Sequence, residues 1–199
     1  MFEGCSKLQS LDTSKWVFSN LTNADSMFNN CQSLTKLDVS NWGMGKTIHF
    51  GFMFNYCFAL STLDVSKWDT SNANNFNAMF SECRNLTNID VSNWKTSNVT
   101  QTVNTFMNCK KLTQVAVQNW DMSSVEDLGG MFAYCSSITS MDVSNWYMPN
   151  CKHLINVFNG LTNCKTLKIK GMYAPNATSW GNTFLDMKSL TSLDLSGID

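Results

Sequence analysis

Proline is nearly absent from this chain, two residues in 199, and charge is scarce: 15% of residues are charged, with a formal net charge of -1. The shortage of charge removes any electrostatic case for nucleic acid or for an anionic membrane surface. No apolar run is long enough to span a bilayer, and no cationic, apolar leader precedes the first motif. Any signal or anchor is therefore expected outside this segment, and the segment is not expected to insert into a membrane. Catalytic constellations are lacking too: no nucleophile stands beside a base, no carboxylates pair in a cleft, and no glycine-rich loop could cradle phosphate. The expectation is a protein that is not an enzyme and carries no cofactor.

What is present is a period. Met-Phe or a close variant stands at Met1-Phe2, Met27-Phe28, Met53-Phe54, Met79-Phe80, Thr105-Phe106, Met131-Phe132, Val157-Phe158 and Thr183-Phe184, always 26 residues apart. Six copies place a cysteine three residues after the Phe (Cys5, Cys31, Cys57, Cys83, Cys109, Cys135) and a tryptophan eleven residues further on (Trp16, Trp42, Trp68, Trp94, Trp120, Trp146). A constant period of this length signals stacked units, each burying its apolar side against its neighbours. Residues 1–199 are read as one repeat domain of seven full copies and a partial eighth. Because the pattern starts and stops without a polar cap, the domain is expected to be part of a longer array.

Within a copy, apolar residues first recur every three positions (Phe80, Cys83, Leu86), which predicts a short helical or 3₁₀ turn. The period then changes to two. Leu86, Ile89 and Val91 face inward and Asn88, Asp90 and Ser92 outward, as in a half-buried strand. Asp, Lys, Thr, Ser and Asn after the Trp form a turn.

The Leu-x-x-Leu-x-Val-x-x-Trp string resembles the core of leucine-rich repeats. The whole unit resembles the 26-residue bacterial surface-protein repeat, related to BspA-type repeats of mycoplasma, lactobacillus and listeria surface proteins. The resemblance implies an α/β solenoid of leucine-rich-repeat type, with a parallel sheet on one face and short helical or 3₁₀ turns on the other. It also implies location at the cell surface or secretion and, in some members, adhesion to host protein or glycan. Copy seven departs most: Leu161 takes the Cys slot, Cys164 the Leu slot, Lys168 the Asp slot and Met172 the Trp slot.

The Cys and Trp ladders share the register of the Leu and Val positions. They are expected in the core, the thiols reduced and acting as small hydrophobes. His49 and His153 share one repeat position but lie four copies apart, too far to share a metal, and no metal site is expected. The outward ladder of Asp12, Asp38, Asp64, Asp90 and Asp142 must relieve like-charge repulsion. Relief could come from Ser14, Ser40, Ser66, Ser92 and Ser144, or from a cation across Asp38, Asp64 and Asp90. The candidate contact surface is in copies six and seven, where Tyr147, Met148 and Tyr173 add apolar area and Lys165, Lys168 and Lys170 replace polar or acidic residues. Two readings follow: a non-enzymatic binding or adhesion array for protein or glycan partners, or a structural stalk or variable coat without a specific ligand.

Overall fold

The computed structural model describes residues 1–198. Strands β1 (Ser10–Leu11) and β2 (Lys36–Leu37) pair in parallel, Ser10 opposite Lys36. Strands β3 (Ser140–Asp142), β4 (Thr166–Lys168) and β5 (Ser192–Asp194) form a second parallel sheet in that order. Isolated parallel bridges, among them Asn23 to His49 and His153 to Ser179, follow the same 26-residue offset. A residue therefore pairs with its counterpart one period along the chain.

The expected helical or 3₁₀ turns do not form. In the Met-Phe half, the Cys83 amide donates to the Phe80 carbonyl at 3.1 Å and the Leu86 amide to the Cys83 carbonyl at 3.0 Å. These three-residue closures reproduce the apolar period of three. However, Ala78 and Glu82 have φ of 48° and 63°, and the equivalent residues of other copies, such as Phe52 and Tyr56 at 57°, share that sign. A left-handed residue cannot continue a right-handed helix, so the segment is a succession of tight turns. The amides freed in this way reach the next copy: Phe28 donates to the Met53 carbonyl at 2.8 Å, and Phe80 to that of Thr105 at 2.8 Å. The α/β solenoid of leucine-rich-repeat type is accordingly corrected. Among the described residues the chain is essentially all-β, with no helix and two small parallel sheets.

The core runs through the aromatic columns. Phe2, Phe28, Phe54, Phe80, Phe106, Phe132, Phe158 and Phe184 stack in sequence with ring centroids 5.3 to 6.1 Å apart. Trp16, Trp42, Trp68, Trp94 and Trp120 form a second column at 5.8 to 6.4 Å. Centroid spacings of this size are those of favourable offset aromatic pairs. Burial also needs a partner for each indole N–H. Trp68, Trp94, Trp120 and Trp146 donate to the carbonyls of Val39, Val65, Val91 and Val117 in the preceding copy at 3.0 to 3.2 Å. The Trp42 indole nitrogen has no such partner.

Candidate binding surfaces

The strand face is lined by Asp–Ser pairs. Ser66 donates its hydroxyl to Asp64 Oδ1 at 2.6 Å and its amide to the same oxygen at 3.1 Å, and Asp12–Ser14, Asp38–Ser40 and Asp90–Ser92 repeat the arrangement. These donors hold the carboxyls of Asp12, Asp38, Asp64, Asp90 and Asp194 below their ordinary range. Partial burial pushes Asp142 up, but Ser144 and Lys168 outweigh it and its net shift is also downward. Each carboxylate is thus held by its own serine. Among the described residues no group of three or more His, Cys, Asp or Glu is placed to hold a metal ion.

The pair is replaced as a unit in two copies. Ala116 and Gln118 stand in copy five where others have Asp and Ser, and Lys168 and Lys170 stand in copy seven. A cleft of about 920 Å³ follows this face from Leu37 to Lys168, and Val115, Ala116 and Gln118 line its middle. Sequence reasoning missed this site. The signal was available in the column of outward positions, where copy five alone loses both members without gaining charge.

Of the candidate contact residues, Tyr147 and Tyr173 are brought together. Their rings stack at 5.2 Å and 10°. A parallel bridge joins the two residues, with the Met148 amide donating to the Tyr173 carbonyl at 2.8 Å and the Tyr173 amide to the Trp146 carbonyl at 2.9 Å. Tyr147 is 55% exposed and Tyr173 is partly buried. Met148 is not surface area: it is fully buried, because its side chain points to the core on the opposite side of the backbone from Tyr147. Lys165, Lys168 and Lys170 are exposed. Lys168 Nζ lies 3.5 Å from Asp142 Oδ2, and the Lys170 charge helps to lower the Asp194 carboxyl.

The Cys ladder is buried from Cys31 through Cys57, Cys83 and Cys109 to Cys135, with each thiol donating to the carbonyl of a Phe in the preceding copy, as Cys57 does to Phe28 at 3.2 Å. Burial pushes Cys31 and Cys151 up to about 11, and drives Cys57, Cys83 and Cys109 well above the ordinary thiol range. The first copy differs, Cys5 being exposed and Trp16 only half-buried.

A second opening of about 390 Å³ lies on the turn side, where Gly129 and Gly130 stand in slots filled by Val103 and Asn104 one copy earlier and by Ile155 and Asn156 one copy later. Tyr134, with φ of 61° and 42% exposed, borders it. The doubled glycine was visible in the sequence, but the left-handed tyrosine was not.

These features define a class: an all-β chain with a 26-residue pairing register and an acidic, interrupted strand face. The chain matches the family model described as "Mycoplasma protein of unknown function, DUF285" over residues 1–114 and again over 85–194, and it belongs to that family. This assignment replaces the resemblance to BspA-type leucine-rich repeats, which the helix-free turns do not support. No curated protein matches the chain. Among solved structures it is similar to a chain titled "Crystal structure of TLR13-ssRNA13 complex", at 15% identity and a TM-score of 0.36, covering 90% of this chain and 32% of that one. So distant a likeness carries no inference about ligand.

Proposed function

We propose that this segment is a non-enzymatic, surface-displayed binding array whose partner is a protein or a glycan. The observation that carries the reading is the Tyr147–Tyr173 pair, stacked at 5.2 Å and fixed by a backbone bridge of its own. An ordered, exposed aromatic pair offers contact area at low entropic cost. The exposed Lys165, Lys168 and Lys170 of copy seven add charge that favours encounter with an acidic partner. Met148 supports the pair from the core and makes no contact of its own. Membership in the family is consistent with a surface-associated protein, and no helix among the described residues is long and apolar enough to cross a membrane.

The test is reversion of Tyr147, Lys168, Lys170 and Tyr173 to the Asp, Asp, Ser and Asp of other copies, followed by measurement of binding to host cells and matrix. Loss of binding with unchanged melting supports the array. Unchanged binding favours a stalk, a reading supported by the Lys168–Asp142 ion pair, which engages that lysine within the sheet.

A further inference from the structure

We propose that the break in the acidic column at Ala116 is a seat for one basic side chain, Lys or Arg, of a partner polypeptide. The inference rests on the binding reading but concerns the middle of the strand face, which meets the Tyr147–Tyr173 region at Lys168, and it is tested by a different readout. Three observations place the seat. The first is shape. The cleft of about 920 Å³ is lined by Ala116, which stands in copy five in place of Asp, and by Asp90 and Asp142 on either side of it. Those two residues lie two strand spacings apart, roughly 10 Å, enough for a flat cation to lie between them.

The second is the floor. Leu37, Leu63, Ile89 and Met141 are 5 to 6% exposed, whereas the smaller Val115 in the same column is only partly buried. Apolar surface is therefore open beneath the gap, as the stem of a lysine or the face of a guanidinium requires. The third is charge at the rim. Asp90 Oδ1 is occupied by Ser92, and Asp142 Oδ1 by the Ser144 amide, which orients both carboxylates, while Asp142 Oδ2 has only the exposed, solvent-screened Lys168 at 3.5 Å, with which a partner's cation competes. Their lowered pKa values keep both ionised in neutral solution. Fixed carboxylates on either side of an apolar floor complement a guanidinium or ammonium group, and a single seat of this kind contributes register and specificity more than affinity.

The replacement of Asp and Ser together explains why the gap is clean. An aspartate kept without its serine would lack a donor, and a serine kept without its aspartate would have no carboxylate to hold, so Ala116 and Gln118 remove both at once.

The experiment titrates the folded chain with a capped Gly-Arg-Gly peptide and with its neutral citrulline counterpart, following backbone amide resonances. The expected result is a set of shifts confined to Val115, Ala116, Gln118 and the flanking Asp90 and Asp142, produced by the arginine peptide and not by the citrulline one. Asp90→Asn and Asp142→Asn should each weaken them. The deciding variant is Ala116→Asp with Gln118→Ser, which restores the Asp–Ser unit, adds negative charge and fills the gap. A seat loses its shifts in that variant. Unchanged or stronger binding there would show a diffuse acidic surface and overturn the proposal, as would the absence of shifts in the parent chain. Neither outcome touches the Tyr147–Tyr173 reading, which the reversion experiment decides separately.

Discussion

At the scale of single residues, burial and hydrogen bonding separate side chains that the motif repeats alike. Trp94 is 4% exposed and donates to the Val65 carbonyl, while its neighbour Lys95 is an exposed residue whose ion pair with Asp69 spans 3.8 Å. Trp94→Ala is expected to lower stability by about 3 to 5 kcal/mol, and Lys95→Ala by about 0.5 kcal/mol or less, in chemical denaturation. Thiol chemistry should divide the same way. Iodoacetamide at neutral pH should label Cys5 and spare the seven buried cysteines, and all eight should react in denaturant. Labelling of Cys57 in the folded chain would remove it from the core.

The Asp–Ser pairs supply a pH dependence. Their carboxyls titrate lower in the folded chain than in the unfolded one, so their contribution is complete above the unfolded value, about 3.9, and is lost as pH falls through the folded value. The melting temperature should therefore hold from neutrality to mild acid and then fall. Ser66→Ala, which removes the hydroxyl bonded to Asp64, should shrink that acid-side fall. An equal fall in parent and variant would mean that the pair does not set the Asp64 titration.

At the scale of the element, the turns rather than the strands carry the register. Each described strand has only two or three residues, whereas the left-handed positions recur copy after copy and aim their amides along the stack. Gly130 has φ of 63°, and an added Cβ would lie 2.1 Å from Asn104 Oδ1. Gly130→Ala is expected to destabilise by about 1 to 2 kcal/mol from backbone strain alone, with the clash adding to it. Phe52→Gly, at an equivalent position with φ of 57° and 44% exposed, should be near neutral, since relief of the left-handed Cβ offsets the entropy that glycine adds to the unfolded chain. Denaturation midpoints of the two variants check the contrast. Similar losses in both would mean that Phe52 packs more than its exposure indicates.

At the scale of the whole molecule, copies communicate with their neighbours. The side-chain bonds between copies span 24 to 29 residues, as Asn77 to Gln101 and Cys57 to Phe28 illustrate. Removing residues 79–104, one whole period, should leave a folded chain with the same near-ultraviolet aromatic signal per tryptophan. Removing only residues 79–91 should disrupt that signal, because across the junction it sets Phe54 against Asn93 and Trp68 against Met107. If both deletions behave alike, the register is not the organising constraint.

The amino-acid sequence by itself determined the register and the contents of the core. An uninterrupted 26-residue period places Phe on Phe, Trp on Trp and Cys31 on Cys57 whatever the local conformation, and the apolar columns leave only one side to bury. It also made the Asp–Ser pairing foreseeable, because the two side chains project from the same face of one strand. Tertiary structure alone decided the turns and the exposed sites. Steps of three apolar residues describe a helix and a chain of tight turns equally well, and the residues that choose between them, Ser26, Phe52, Ala78, Asn104 and Asn156, share a positive φ but no side-chain chemistry. Met148 likewise shares the variable turn with Tyr147 yet points to the core, since neighbours in an extended segment face opposite ways. The cleft at Ala116 exists only because neighbouring copies bring Asp90 and Asp142 to either side of a residue far from both in the chain.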